Sequence, residues 1–323
     1  MSETPSPAPP RQTLTFLRER LAAEGIRPKN DLGQNFLIDI NLLNMLADTA
    51  AVGPDDICLE VGTGTGSLTA LLADRAAAVI SVEVDPRMHR LAAGLLGNRP
   101  HVRLLLHDAL QGKNRLHPGL LETLEQARAE HPDKRFKLVA NLPYHVATPL
   151  IGNLLALDRP PQTFTATVQR EVAERLVARP GTRDYGALSV WVQSQGKAAI
   201  RRILPPQVFW PRPKVFSAIV HIEFRPALRA RIPDLPSFHR FVRDLFLHRR
   251  KLLRAELAAV SGKRLEKAAV DRILADAELN PLCRAEELDV EDLIRLFSCF
   301  RAALESCPPG SLTVDDAASS RLR

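Results

Sequence analysis

The chain has 323 residues, 45% of them hydrophobic and 25% charged, a balance that excludes a low-complexity or fibrous polypeptide and suffices for more than one buried core. Its 44 Lys plus Arg against 37 Asp plus Glu leave a net charge of +7, which favours a polyanionic partner, although basic proteins without one are common. Cys58, Cys283, Cys299 and Cys307 show no CxxC spacing and no neighbouring histidine cluster, so reduced thiols are expected, with no metal site and no disulfide framework.

In chain order, residues 1–12 are a Pro-rich extension and residues 307–323 a Pro-, Gly-, Ser- and Asp-containing tail, both expected to be disordered. The amino terminus lacks a basic segment followed by an apolar one, and no apolar run approaches the ~20 residues of a membrane span. A cytoplasmic protein without a membrane partner is expected. A short amphipathic helix is predicted over 13–21, and a loop over 32–39 leads into a helix from Asn41. Four apolar runs follow, 57–61, 79–84, 102–106 and 136–140, with helical patterns between them, which argues for a parallel sheet wrapped by helices. A strand over 164–168, helices from Glu171 and over 185–195, and strands near 199–204 and 217–224 complete the sheet. Pro205, Pro206, Pro211 and Pro213 stiffen the approach to its last strand. Beyond residue 226 strand signals stop, and 238–247, 252–259, 267–275 and 290–304 read as helices. The reading is an α/β domain over 13–225 and a small all-helical domain over 226–306.

The chemistry concentrates at strand ends. Glu60-Val61-Gly62-Thr63-Gly64-Thr65-Gly66 is a strand running into a glycine-rich turn and then a helix, which lets a ligand approach the main chain closely. In the dinucleotide fingerprint the third glycine lies three positions after the second, whereas Gly66 follows Gly64 by two. The tighter form goes with S-adenosyl-L-methionine, which has no pyrophosphate to cradle. Glu83 ends the second strand about 20 residues further on, where a carboxylate accepts ribose hydroxyls. Asp108 ends the third, placed to accept an adenine amine. Asn141-Leu142-Pro143-Tyr144 follows the fourth with an amide, a constrained turn and an aromatic face.

That run suits a flat base with an exocyclic amine. Carbonyl oxygens accepting the two N–H bonds, one from Asn141 and one from the main chain beside Pro143, draw the nitrogen toward tetrahedral geometry. Tyr144 can stack on the ring, a contact worth roughly 1–3 kcal/mol. Each element alone also fits a solvated strand end or an ordinary turn. Four successive strand ends carrying Gly62, Glu83, Asp108 and Asn141 are what speak for a site.

Over residues 32–300 the chain resembles the ribosomal RNA adenine N6,N6-dimethyltransferases. The resemblance is carried by the Gly33-Gln34-Asn35-Phe36-Leu37 block, the glycine turn, Glu83-Val84-Asp85, Asn141 to Tyr144, Gln169-Arg170-Glu171, Pro211-Arg212-Pro213-Lys214-Val215 and Arg249-Arg250-Lys251. It implies a Rossmann-like class I S-adenosylmethionine-dependent methyltransferase sheet with a small C-terminal helical domain. It implies cofactor contacts from Asn35, Leu37, Gly62, Glu83, Asp108 and Asn141, with Asn141, Pro143 and Tyr144 as the catalytic group. The substrate implied is a pair of adjacent adenosines in the 3′-terminal hairpin loop of 16S RNA, on an immature small ribosomal subunit, acted on by a monomer.

Arg170, Arg249, Arg250, Lys251 and Arg254 are candidates for RNA phosphates, because such contacts give position and salt-dependent affinity without reading sequence. Solvated helix charge is the alternative for Arg170. Two further readings of the whole chain are a dimethyltransferase of large-subunit RNA and a non-catalytic assembly factor on the same fold. The chain departs from the family pattern at Thr63 (usually Pro), His107 (usually Gly) and Phe216 (usually Asp), and in an extra segment around 116–133 with a helical pattern.

Overall fold

The computed structural model describes residues 14–23, 25, 34–112, 115–248, 251–262 and 264–306. The expected disorder of 1–12 and 307–323, and Arg249 and Arg250 of the basic run, lie outside the described residues. The described chain groups into two compact units, one running to Ala178 and resuming over Trp191–Arg229, the other made of Arg179–Val190 and the residues from Ala230 onward. The first thus differs from a continuous stretch over 13–225: residues 179–190 belong with the helices.

The first unit contains α1 (Leu14–Ala23), β1 (Phe36–Leu37), α2 (Ile40–Thr49), β2 (Asp56–Val61), α3 (Ser67–Ala73), β3 (Ala78–Glu83), α4 (Pro86–Leu96), β4 (Val102–Leu106) and α5 (Pro118–Glu130). It continues through β5 (Arg135–Asn141), α6 (Tyr144–Leu155), β6 (Thr163–Gln169) and α7 (Arg170–Val177). After α8 (Ala187–Gln193), within which the division between units falls, come β7 (Gly196–Leu204), β8 (Phe209–Trp210), β9 (Ser217–Phe224) and α9 (Pro226–Arg229). The seven-stranded sheet has the order β4-β3-β2-β5-β6-β9-β7, parallel from β4 to β6, with β9 antiparallel to both its neighbours. The connection from β7 to β9 carries the short strand β8 and no α-helix to cross over the sheet, and the two strands pair antiparallel. β2 and β3 are buried at every position, as strands covered by helices on both faces must be. The chain moves outward from β2 through β3 to β4 and then returns to the other side of β2 as β5. That reversal opens a crevice at the carboxyl ends of β2 and β5, where open α/β sheets bind ligands.

Local chemistry starts the helices where the turns need them. Asp39 accepts the Asn41 N–H at 2.9 Å ahead of α2, and Asp85 accepts the Arg87 N–H at 3.0 Å ahead of α4, whose first residue is Pro86. Leu42, Leu43 and Leu46 of α2 share an apolar cluster with Leu68 and Leu72 of α3, Val79 and Val139. The expected loop over 32–39 contains β1, which pairs antiparallel with β8 (Phe36↔Trp210, Leu37↔Phe209). Two-residue strands carry no readable alternation, so this ribbon was not legible. It packs Phe36 into a cluster with Leu17 and Leu21 of α1 and Met88 and Leu91 of α4.

The second unit contains α10 (Leu235–Leu245), α11 (Leu253–Val260), α12 (Lys267–Asp276) and α13 (Val290–Ser306). Phe297 of α13 meets Phe238 and Phe241 of α10 with ring centroids 5.4 Å apart in each case, and Phe300 meets Phe241 at 5.1 Å. Edge-on and tilted aromatic pairs of this kind add to the burial of their area. Among the described residues no helix is long and apolar enough to cross a membrane, and no group of three or more His, Cys, Asp or Glu could hold a metal ion. Cys58 is buried in β2, whereas Cys283 and Cys299 are only partly buried.

One polar contact inside the first unit is unusual. Asp56 and Lys137 are both buried, with Lys137 Nζ 2.9 Å from Asp56 Oδ2 and donating to the carbonyls of Ala50 and Ala51 at 2.8 and 2.9 Å. Arg135 Nε and the Gly53 N–H, both at 2.8 Å, complete the Asp56 carboxylate. The group ties the end of α2 to β2 and β5. Asp56→Ala strands a buried ammonium and should lower the unfolding free energy by about 3–5 kcal/mol in urea titrations. Lys137→Met, which leaves Asp56 with Arg135, should have the smaller effect.

Candidate active site

The glycine turn after β2 is supported from below by a buried polar chain. Thr69 and Ser81 hydroxyls donate to Glu60 Oε2 at 2.5 and 2.6 Å, and the Thr63 hydroxyl lies 2.6 Å from Ser81 Oγ. Burial, the dominant cause, pushes the Glu60 carboxyl up to about 8, against the pull of the two hydroxyls. Above the turn, Gly62 and Gly64 have φ of 88° and 55°, in the left-handed region. A Cβ on Gly62 would lie 3.1 Å from the Pro143 ring, and one on Gly64 would lie 3.1 Å from the Phe36 ring. Both positions therefore require glycine for space as well as for torsion.

Glu83, at the end of β3, is buried and accepts three main-chain N–H bonds, each at 2.9 Å, from Gly64, Val84 and Asp85. Desolvation raises its carboxyl above the ordinary range in spite of these donors. Gly64 donates to Oε2 and the other two to Oε1, so Oε2 keeps acceptor capacity. Asp85 is held by Gln34 Nε2 at 3.2 Å as well as by its capping role.

An open cavity of about 110 Å³ lies over these groups. Its wall includes Asn35 and Phe36, Gly62 and Gly64, Glu83, His107 and Asp108, Asn141 and Pro143. Five of the six expected cofactor residues, Asn35, Gly62, Glu83, Asp108 and Asn141, thus share one space. Leu37 does not line it: its side chain is buried in the cluster formed by α2 and α3, because alternation in β1 turns Leu37 away where it brings Phe36 in.

Asn141 is locked at both ends. Its Nδ2 donates to the Asn35 carbonyl at 2.9 Å and its Oδ1 accepts from the Thr167 hydroxyl. Thr167 sits directly opposite Asn141 in the β5/β6 register, a relation invisible until strand pairing is known. Pro143 caps α6 and Tyr144 begins it. The half-buried Tyr144 Oη is 2.7 Å from Ser217 Oγ, and burial raises its phenol above the usual range. Ser217, the first residue of β9, is likewise a residue that sequence reasoning missed. Asp108 is exposed, with its carboxylate accepting the Leu110 N–H at 2.9 Å.

Those of the cationic candidates that are described have carboxylate partners. Arg170 opens α7 with Nε 2.7 Å from Glu174, its side chain about half exposed. In the second unit Lys251 Nζ is 3.5 Å from the buried Glu256, and Arg254 is 2.5 Å from Asp271. α11 begins at Leu253, so Lys251 precedes that helix rather than lying within it.

A mainly parallel seven-stranded sheet with β9 inserted antiparallel, a glycine turn after β2 and an acidic residue ending β3 is the framework of Rossmann-like S-adenosylmethionine-dependent methyltransferases. The model of the ribosomal RNA adenine dimethylase family matches residues 25–296, and the chain belongs to that family. Ribosomal RNA small subunit methyltransferase A of Moorella thermoacetica is 38% identical over 288 residues, 89% of this chain and 96% of that protein. The protein of the same name from Lactiplantibacillus plantarum is 38% identical, covering 86% and 92%. Among solved structures, a dimethyladenosine transferase from Plasmodium falciparum superposes with a TM-score of 0.67 at 24% identity over 82% of this chain and 97% of that one, a likeness of fold. The 23S rRNA methyltransferase ErmE gives 0.58 at 26% identity over 83% and 100%.

The raised Glu60 pKa has a sign that can be tested. The folded state holds this proton up to about 8 while the unfolded chain releases it near 4.5, so the contribution to stability is complete below 4.5 and is lost as pH rises through 8. Glu60→Gln should flatten the fall in unfolding free energy over this interval in denaturant titrations. Thr167→Val, which frees one end of Asn141, should lower turnover by roughly tenfold with little change in melting temperature, by analogy with the loss of one hydrogen bond of about 1.5 kcal/mol.

Proposed function

We propose that this enzyme uses S-adenosyl-L-methionine to dimethylate N6 of two adjacent adenosines in the 3′-terminal hairpin loop of 16S rRNA, on immature small ribosomal subunits in the cytoplasm. The observation that carries the reading is the meeting of Gly62, Glu83 and Asn141 at one cavity. The residues fit that cofactor. Glu83 Oε2 has acceptor capacity for ribose hydroxyls, the Asp108 carboxylate for an adenine amine, and the floor at Gly62 and Gly64 admits a ligand against the main chain. Asn35 and Phe36 would border the amino acid end. When bound, S-adenosyl-L-methionine supplies a methyl group on a positively charged sulfur, already electrophilic.

The protein's own contribution is then alignment and water exclusion more than proton abstraction. Asn141, fixed by Asn35 and Thr167, presents its carbonyl oxygen with a lone pair to spare, and the main chain beside Pro143 offers a second acceptor. Together they stabilise positive charge growing on the attacking nitrogen. Tyr144, anchored through Ser217, offers a face for the target base. Arg170, with Arg249, Arg250, Lys251 and Arg254 of the helical domain, would meet RNA phosphates, exchanging carboxylate partners where they have them. The small-subunit reading is preferred over the large-subunit one because the relatives at 38% identity carry the former name and ErmE stands at 26%.

A methyl-transfer assay comparing immature small subunits with large-subunit RNA, followed by mass spectrometry of the product, tests the proposal. Dimethyladenosine confined to the small-subunit RNA is expected, and modification of large-subunit RNA alone refutes it. Asn141→Ala should cut turnover by about 10²-fold or more while calorimetry still detects the cofactor. Tyr144→Ala should raise the KM for RNA with a smaller effect on cofactor affinity. Replacing Arg249, Arg250 and Lys251 with glutamine should reduce the slope of log binding constant against log salt by about 2–3.

A further inference from the structure

The cavity wall after β4 is keyed to α5, the helix of the extra segment, through two histidines. His107 lines the cavity, and its ring stacks on that of His117 with centroids 3.9 Å apart and planes 15° from parallel. His107 Nδ1 lies 2.8 Å from the Asp108 carbonyl oxygen, so it carries the proton. Its Nε2 is buried without a hydrogen-bond partner among the described residues. His117 has the opposite arrangement. Its Nδ1 accepts the Gly119 N–H at 3.1 Å and caps α5, with Pro118 as the first helical residue.

The two rings also meet the helix itself. A Cβ on Gly119 would lie 3.3 Å from His117 Nδ1 and 3.4 Å from His107 Nε2, so the first turn of α5 packs on both imidazoles at contact distance. The main chain closes the same loop: His117 N–H donates to the Ala109 carbonyl at 2.9 Å, and Leu110 and Leu116 form an isolated antiparallel bridge. His107 and Ala109 of the cavity wall are therefore tied to the start of α5 by a ring stack and a main-chain bond, and the capping bond in turn fixes the His117 ring to the helix.

We propose that His107 and His117 are positioning residues for the cofactor, with α5 serving as a buttress that holds His107 and Asp108 against the purine end of the bound molecule. This rests on reading the cavity as an S-adenosyl-L-methionine site whose purine lies toward the ends of β3 and β4. The stack, rather than the cap, sets the wall, since it is the contact that reaches a cavity-lining side chain.

The test separates the two. His117→Asn keeps an acceptor for the Gly119 N–H and removes the stack; His117→Phe keeps a stacking ring and removes the acceptor. Titration calorimetry of the full chain with S-adenosyl-L-methionine should show affinity weakened roughly three- to tenfold by His117→Asn, the range an aromatic pair supports, and largely restored in His117→Phe. Steady-state kinetics should show the same rise in KM for the cofactor, with kcat and the KM for RNA near wild type. Wild-type affinity in His117→Asn, or a loss in His117→Phe with none in His117→Asn, overturns the proposal and leaves the pair as a helix cap. Absence of binding heat in the wild type instead overturns the reading of the cavity on which the proposal stands.

Discussion

A single carboxylate holds the site in shape. Glu83 ends β3 yet spends its hydrogen-bonding capacity mainly on the protein, taking N–H groups from its own turn and from Gly64 of the turn after β2. A buried carboxyl satisfied in this way is costly to desolvate and costly to move, so the two adjacent turns behave as one rigid lip. Everything else at the cavity is built from that lip outward: Phe36 closes on Gly64, Pro143 closes on Gly62, and Asn141 reaches back to Asn35. The Glu60, Ser81 and Thr69 chain beneath it removes the remaining freedom of the turn.

Much of this was legible in the sequence because long apolar strands and strand-end polar residues obey short-range rules. The runs that became β2, β3, β4 and β5 were found within a residue of their ends, and Gly62, Glu83, Asp108 and Asn141 stood out as polar or glycine positions at or just past those ends, the same residues the family resemblance implies. What could not be read depends on register between strands distant in sequence. Thr167 matters because β6 lies beside β5 with Asn141 opposite it, and Ser217 because β9 returns antiparallel so that its first residue falls within reach of Tyr144. The β1 and β8 ribbon is too short for any periodic signal, and it decides that Phe36, not Leu37, faces the cavity.

Two of the departures from the expected family pattern meet in the fold. His107 lines the cavity, and the extra segment supplies the helix and the second ring that pack on it. The second unit, in contrast, has phenylalanine contacts between α10 and α13, and its Lys251 and Arg254 lie beside Glu256 and Asp271.

The pairing of Phe36 with Trp210 bears on how the enzyme comes into being on the ribosome that makes it. The glycine turn, Glu83 and Asn141 are all synthesised before the strand that pins Phe36 over Gly64 exists. Ends this far apart in sequence meet late, since closing a long loop must precede the contacts that reward it. A nascent chain therefore carries Gly62, Glu83 and Asn141 before the ribbon that holds Phe36 over Gly64, and the cavity takes its final form only as the closing strands of the sheet emerge.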